Sequence, residues 1–344
     1  MLSLLKAVYS PYMPKQIFQK IWFKPLIYCG VFLLGMAVMY GIKFFSPTGD
    51  SATDQASEQH SGGYTYINPL IACNDLENTS NRELIELDGE LTQYITDQKL
   101  AGNVSYVSVY YRDLNNGPWF GIRATKKFFP ASLLKVPLMI AYLKAADQYP
   151  RILQQEIQFV GSSTPGRQYV VPSVQIEPGK TYTVDQLVQS MIRYSDNNAA
   201  ELLVTAMQKD HRDKVYLDLG LHVPDDGSDY PVDSKTYASF FRILYNASYL
   251  SKQLSEQALK LLAASEFKDG IVAGVPSGIP VAHKFGERFG EAQSQFHDCG
   301  IVYYPNRPYL LCVMTSGDDF TKQIPAIAQI SRIVYQKIDE NRKK

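Results

Sequence analysis

Apolar positions recur at two different periods along this chain, and the switches between them mark its elements. Over residues 82 to 98, Leu84, Ile85, Leu87, Leu91, Tyr94 and Ile95 return at helical spacing behind Ser80 or Asn81 as a cap, which predicts a helix. Val104 to Tyr111 then alternate apolar and small residues. Asn115-Asn-Gly117 supplies a turn, and Trp119 to Arg123 is the expected returning strand of a hairpin. The stretch from Ser132 to Ala146 reads as a largely apolar helix. Thr183 with Gln186 forms a capping box for a helix ending near Tyr194, and a second helix follows from Ala199. Asp233 or Ser234 is expected to cap a helix running to about Leu244, and Ser255 to cap one more. Strand patterns return from Ile279 to Phe285, from His297 to Tyr304 and from Tyr309 to Thr315, before a last helix over about Lys322 to Ile338. Strands near both ends with helices between them predict one α+β domain over residues 81–344. Its antiparallel sheet would be built from both chain ends around a central helical region.

One segment has neither period. Residues 25–42 carry no charge and lie between Lys24 and Lys43, about the minimum run for one membrane-spanning helix. Lys6, Lys15, Lys20 and Lys24 precede it without any acidic residue, whereas Asp50, Asp54 and Glu58 follow Lys43. The positive-inside rule then puts a short tail, residues 1–24, in the cytoplasm and everything after the span outside. The reading is a single-pass anchor in the cytoplasmic membrane. The alternative, a cleaved signal peptide, fits less well because no small-x-small site follows. Residues 46–63 are polar and poor in large apolar side chains; with their flanks they predict a stalk over residues 43–80, the folded domain starting between Tyr64 and Asn81.

Composition narrows the function classes. Thirty-four Lys and Arg match 34 Asp and Glu, which argues against a nucleic-acid partner. Of the four cysteines, Cys29 lies in the apolar segment. Cys299 and Cys312 flank a turn near Pro305-Asn306 at positions that would face each other in a hairpin, either as a cross-strand disulfide or as two buried thiols. There is no C-x-x-C and no His-rich cluster, so neither a metal nor another cofactor is expected.

The chemistry lies in three short motifs in fixed order: Ser132-Leu-Leu-Lys135, Ser195-Asp-Asn197 and Lys284-Phe-Gly286. Each alone is weak. Ser3-Leu-Leu-Lys6 and Ser265-Glu-Phe-Lys268 also match S-x-x-K, and Lys268-Asp-Gly270 matches K-x-G; only S-D-N occurs once. A serine hydroxyl needs a base, and lysine serves only if burial or a neighbouring cation lowers its pKa. Three positions apart at the start of an apolar helix, Ser132 and Lys135 share one face, and Lys135 also feels the helix's positive end. Ser195 can relay a proton to a leaving nitrogen, Asn197 can bind substrate, and Asp196 reads as a loop-holding cap. Lys284 can hold Lys135 neutral and bind a substrate carboxylate. Gly286 leaves room for substrate along a strand edge, and the Glu287 amide can join that of Ser132 in an oxyanion hole.

Together these motifs resemble the class A β-lactamase and penicillin-binding family of serine enzymes, over roughly residues 81–340. The resemblance implies Ser132 as the acylated nucleophile, Lys135 as its proton acceptor, Ser195 and Asn197 as second-motif groups, and Lys284 and Gly286 as third-motif groups. Two departures stand out. The family's third motif has Thr or Ser in the middle, where this chain has Phe285. Class A β-lactamases also carry a long loop after the second motif, with a Glu and an Asn that position the deacylating water. Here Leu219 to Ser234 passes almost directly into the next helix with no E-x-x-x-N, and Asp225, Asp226, Asp229 and Asp233 read as turn and cap residues. The expectation is a membrane-anchored, extracytoplasmic serine hydrolase or acyl transferase acting on an amide, a cell-wall D-Ala-type peptide or a β-lactam. The alternative is a penicillin-binding sensor that is acylated and turns over little.

Overall fold

The computed structural model describes residues 58–73, 82–115, 117–161, 167–221 and 230–342. These belong to one compact unit, Gln55–Lys344. The apolar segment 25–42 lies outside the described residues, and no helix among those described is long and apolar enough to cross a membrane.

Five antiparallel strands make the central sheet. In chain order they are β1 (Tyr106–Asp113), β2 (Trp119–Ile122), β3 (Val281–Arg288), β4 (Ser294–Val302) and β5 (Tyr309–Gly317), and across the sheet they run β2-β1-β5-β4-β3. The two chain ends meet where β1 pairs with β5, Val109 opposite Val313. Both faces of the inner strands are covered, so β5 is buried along its whole length and reads as an almost unbroken apolar run.

The pleat sends alternate residues to two cores. Tyr309, Leu311 and Val313 join Phe285 and Phe296 beneath α1 (Arg82–Leu100) and the last helix, α8 (Phe320–Arg342). Leu310, Cys312 and Met314 face the helical region: α2 (Lys135–Gln148), α3 (Val184–Arg193), α4 (Asn197–Ala206), α5 (Lys209–Asp218), α6 (Ser234–Tyr245) and α7 (Lys252–Ala263). The domain is therefore α+β as expected, with its sheet supplied by both chain ends. Cys299 stands directly opposite Cys312 in the β4–β5 register, and the two form a disulfide.

Three expectations need correction. The capping box holds, with Thr183 Oγ1 accepting from Gln186 N at 3.2 Å and Gln186 Oε1 from Thr183 N at 2.9 Å. Ser255, by contrast, is not a cap. Ser251 begins α7 by accepting from Leu254 N at 3.4 Å, because the buried stripe of Ala258, Leu259 and Leu262 extends one turn further back, and Ser255 is buried inside the helix. The expected stalk is also too long. Glu58–His60 pairs with Leu70–Cys73, Ile67 is in the core, and the Glu256 carboxylate accepts from the amides of Thr65, Tyr66 and Ile67 at 2.9–3.1 Å. A polar segment thus docks through its backbone onto a carboxylate about 190 positions away, which local composition does not reveal. Finally, Ser132 lies in a 3-10 turn, Ala131–Leu134, and α2 begins only at Lys135.

Candidate active site

The turn bearing Ser132 is wedged against the sheet edge. Ala131 adopts a left-handed backbone with φ of 49°, an uncommon conformation for a residue with a Cβ. Leu133 N donates back to Pro130 O at 3.0 Å, and Leu133 O accepts from the buried Tyr237 hydroxyl at 2.9 Å. On the other side, edge strand β3 comes so close that a Cβ at Gly286 would lie 2.7 Å from Pro130 O and 2.9 Å from Leu133 Cγ. The space that Gly286 leaves is thus filled by the turn that carries Ser132. This corrects the expectation that it serves an incoming substrate.

From that turn Lys135 points into a buried polar cluster. Its Nζ donates to Ser195 O at 2.6 Å, Asn197 Oδ1 at 2.7 Å and Ser195 Oγ at 3.1 Å. These use all three protons of an ammonium group. Burial lowers the Lys135 pKa to about 7, against the opposing pull of the Asp196 and Glu287 charges. Lys284, fully buried on β3, donates to the same Ser195 Oγ at 3.0 Å and to Phe285 O at 2.8 Å. Burial, and then the charge of Lys135, drive its pKa well below the usual lysine value. Among the described residues, Ser132 Oγ makes no hydrogen bond to Lys135.

Ser195 also has a left-handed backbone, with φ of 58°, at the break between α3 and α4. Two non-glycine residues in this sparsely populated region therefore flank the cluster, a pattern found where surrounding contacts enforce a functional geometry. Asp196 supplies some of those contacts. Its Oδ1 caps α4 through Asn198 N at 2.8 Å and Ala199 N at 3.3 Å. Its Oδ2 accepts from Ile176 N at 2.7 Å and Ser190 Oγ at 3.2 Å. It holds the loop, as expected.

The strand period explains Phe285. Lys284, Gly286 and Arg288 occupy one face of β3, and Phe285 the other, where it packs in a cluster with Phe267 at 4.5 Å and Phe296 at 5.9 Å between ring centroids. Arg288, two residues beyond Gly286, stacks its guanidinium over the Phe129 ring at 4.0 Å. The Glu287 carboxylate, whose side chain was not singled out from sequence, accepts from Tyr169 N at 2.8 Å and Val170 N at 3.0 Å. It ties the segment 167–170 to the sheet edge, and burial raises its pKa.

Ser132, Lys135 and Asn197 open together onto a cavity of about 500 Å³, which continues past Leu138 and Val204 to Arg212, Tyr216 and Tyr230. None of the far residues was expected. The one signal in the sequence is Arg212 and Tyr216, four apart and so on one face of α5. Of the other S-x-x-K matches, Ser265 is buried beyond the end of α7, and Ser3 lies outside the described residues. Among the described residues no group of three or more His, Cys, Asp or Glu could hold a metal.

Sequence and structure comparisons agree with this geometry. The sequence model of the β-lactamase enzyme family matches residues 90–338, most of the chain, and the chain belongs to that family. It is a β-lactamase-like serine hydrolase. Similar solved structures include the penicillin-binding protein PBP-A, at 22% identity and TM-score 0.62 over 75% of this chain and 97% of that one. A class A β-lactamase from Mycobacterium abscessus matches at 26% identity and TM-score 0.61, over 74% and 99%. A β-lactamase from Chitinophaga pinensis matches at 18% identity and TM-score 0.61, over 72% and 99%. No curated protein matches the chain.

Proposed function

We propose that this protein is an extracytoplasmic serine acyl transferase or hydrolase, anchored in the cytoplasmic membrane by residues 25–42, that opens an amide bond through an acyl-enzyme on Ser132. The observation that carries the reading is the Ser195 hydroxyl held between two buried lysines, Lys135 and Lys284, beside the cavity that Ser132 faces. Ser132 Oγ attacks the carbonyl carbon, its proton passes to Lys135, and the amides of Ser132 and Glu287 hold the oxyanion. Ser195 delivers a proton to the leaving nitrogen as the C–N bond breaks, and Lys135 or Lys284 replaces it. Lys284 and Arg288, on one face of β3, are suited to a carboxylate on the leaving side. A cell-wall D-Ala-type peptide and a β-lactam both have an amide with such a carboxylate.

The disulfide Cys299–Cys312 supports the extracytoplasmic location, since disulfides persist chiefly in oxidising compartments. Added protease should digest the domain in spheroplasts. A domain protected until the membrane is broken would refute the topology. Intact mass after incubation with penicillin G or a fluorophosphonate tests the chemistry: one adduct on Ser132 is expected, and none overturns the reading.

A second reading, a penicillin-binding sensor that stays acylated, is favoured by one observation. Among the described residues no carboxylate lines the cavity beside Ser132. PBP-A, a relative by fold, has been captured in a mutant form as an acyl-enzyme with penicillin G. Persistence of the adduct over hours separates the sensor from the hydrolase.

A further inference from the structure

Ser132 Oγ makes no hydrogen bond to Lys135, so its place beside the buried cluster is set by the backbone of its turn. The chain enters that turn through Phe129-Pro130. Pro130 has no N–H, and its carbonyl is taken inside the turn by Leu133 N. The N–H and C=O of Phe129 are therefore the groups that can tie the entry to the rest of the domain.

Two side chains of β4 take both. Gln295 Oε1 accepts from Phe129 N at 2.9 Å, and His297 Nε2–H donates to Phe129 O at 3.1 Å. The two residues are two positions apart and share one face of the strand. In the register of β3 with β4, Gln295 stands opposite Arg288 and His297 opposite Gly286. Those partners meet the same stretch of chain. Arg288 stacks over the Phe129 ring at 4.0 Å, and Gly286 leaves the gap that Pro130 O fills. Four residues in a block across two strands thus cradle Phe129-Pro130, each through a different group of it.

The His297 ring is itself fixed. It is fully buried, and Thr315 N donates to its Nδ1 at 3.3 Å, which leaves the ring proton on Nε2, facing Phe129 O. Just beyond the cradle, Ala131 keeps its left-handed backbone, a conformation that persists when surrounding contacts enforce it. The Tyr237 hydroxyl on Leu133 O holds the far end of the turn.

We infer that Gln295 and His297 are positioning residues for Ser132, fixing through the Phe129 backbone the turn that aims its hydroxyl. The inference rests on the serine-hydrolase reading above. It is tested by the rate at which a fluorophosphonate labels Ser132, followed by intact mass and expressed per folded molecule from circular dichroism. His297→Gln keeps a donor at the place of Nε2, whereas His297→Asn keeps only an acceptor at the place of Nδ1. His297→Asn should label about 10² more slowly, the scale of a misplacement of roughly 1 Å, and His297→Gln should recover most of the rate. Gln295 gives an independent pair, which decides the matter if the His297 variants do not fold. Gln295→Met, which lacks the acceptor, should slow labelling, and Gln295→Glu, which keeps one, should restore it. Wild-type rates in His297→Asn and Gln295→Met, or losses that the donor- and acceptor-keeping variants do not recover, overturn the positioning role. Absence of any labelling at Ser132 in the wild type overturns the parent reading instead, and the positioning role with it.

Discussion

Lys135 and Lys284 meet at a single oxygen, donating to Ser195 Oγ from 3.1 and 3.0 Å. Two cations cannot share one buried hydroxyl at full charge without mutual repulsion, and burial already disfavours both ammonium forms. Lys135 can act as a base only in the fraction that has lost a proton. With its pKa lowered to about 7, that fraction grows as pH rises through neutrality. The acylation rate should therefore climb from pH 6 to pH 8 with an apparent pKa near 7. Lys135→Ala should lose the rise and slow acylation by about 10² or more. A stopped-flow pH profile that is flat in the wild type would contradict this.

Ser132 should be the sole labelled serine. Ser265, in the competing S-x-x-K match, is buried, so Ser132→Ala should leave no adduct. Peptide mapping after fluorophosphonate treatment checks the site.

Gly286→Ala should damage fold and site together. The added methyl would sit 2.7 Å from Pro130 O and 3.1 Å from Leu133 N, both backbone atoms that cannot swing aside. A stability loss of about 1–3 kcal/mol is expected from such overpacking. Because the displaced turn carries Ser132, acylation should fall even at temperatures where the variant is fully folded. Denaturant titration alongside labelling rates separates the two effects.

Penicillins should acylate in a burst of about one equivalent and then turn over slowly. The leaving amine of a β-lactam stays tethered and shields the acyl bond from water on the Lys135 side, and no carboxylate lines the cavity side among the described residues. Nitrocefin turnover above roughly 10 s⁻¹, the median enzyme value, would contradict this expectation.

His297 should steepen the acid sensitivity of the fold. Its Nε2–H donates to Phe129 O at 3.1 Å and its Nδ1 accepts from Thr315 N at 3.3 Å, an arrangement that requires the neutral ring. Burial lowers its pKa from 6.5 to about 4. Between those values the unfolded chain binds the extra proton and the folded one does not, so stability falls as pH drops from 6.5 toward 4. In His297→Gln that part of the slope should vanish, as measured by urea midpoints across the window.

What the sequence revealed follows the range of the interactions involved. The capping box of Thr183 and Gln186, the pairing of β1 with β2 in a hairpin and the loop-holding role of Asp196 depend on neighbours a few positions away, and all were legible. Period-two alternation would likewise have placed Phe285 on the face opposite Lys284. Long-range backbone contacts were not legible. Nothing local shows that Glu256 gathers three amides from residues 65–67, that Glu287 reaches Tyr169 and Val170, or that Gly286 is small for the sake of Pro130. The cavity was hidden for the same reason: its walls come from three helices whose mutual angles no single segment encodes.

The pairing of β1 with β5 has a temporal meaning. The chain is made from its N-terminus, and Val109 waits for Val313 through about 200 intervening residues. Ser132, Lys135 and the Ser195 loop leave the ribosome long before β3, the strand that brings Lys284 and braces the turn of Ser132. Contacts of such sequence separation form late and slowly. A nascent chain therefore carries Ser132 without the edge that holds its turn in place. The arrangement of Ser132, Lys135, Ser195 and Lys284 is complete only when the last strands have been delivered.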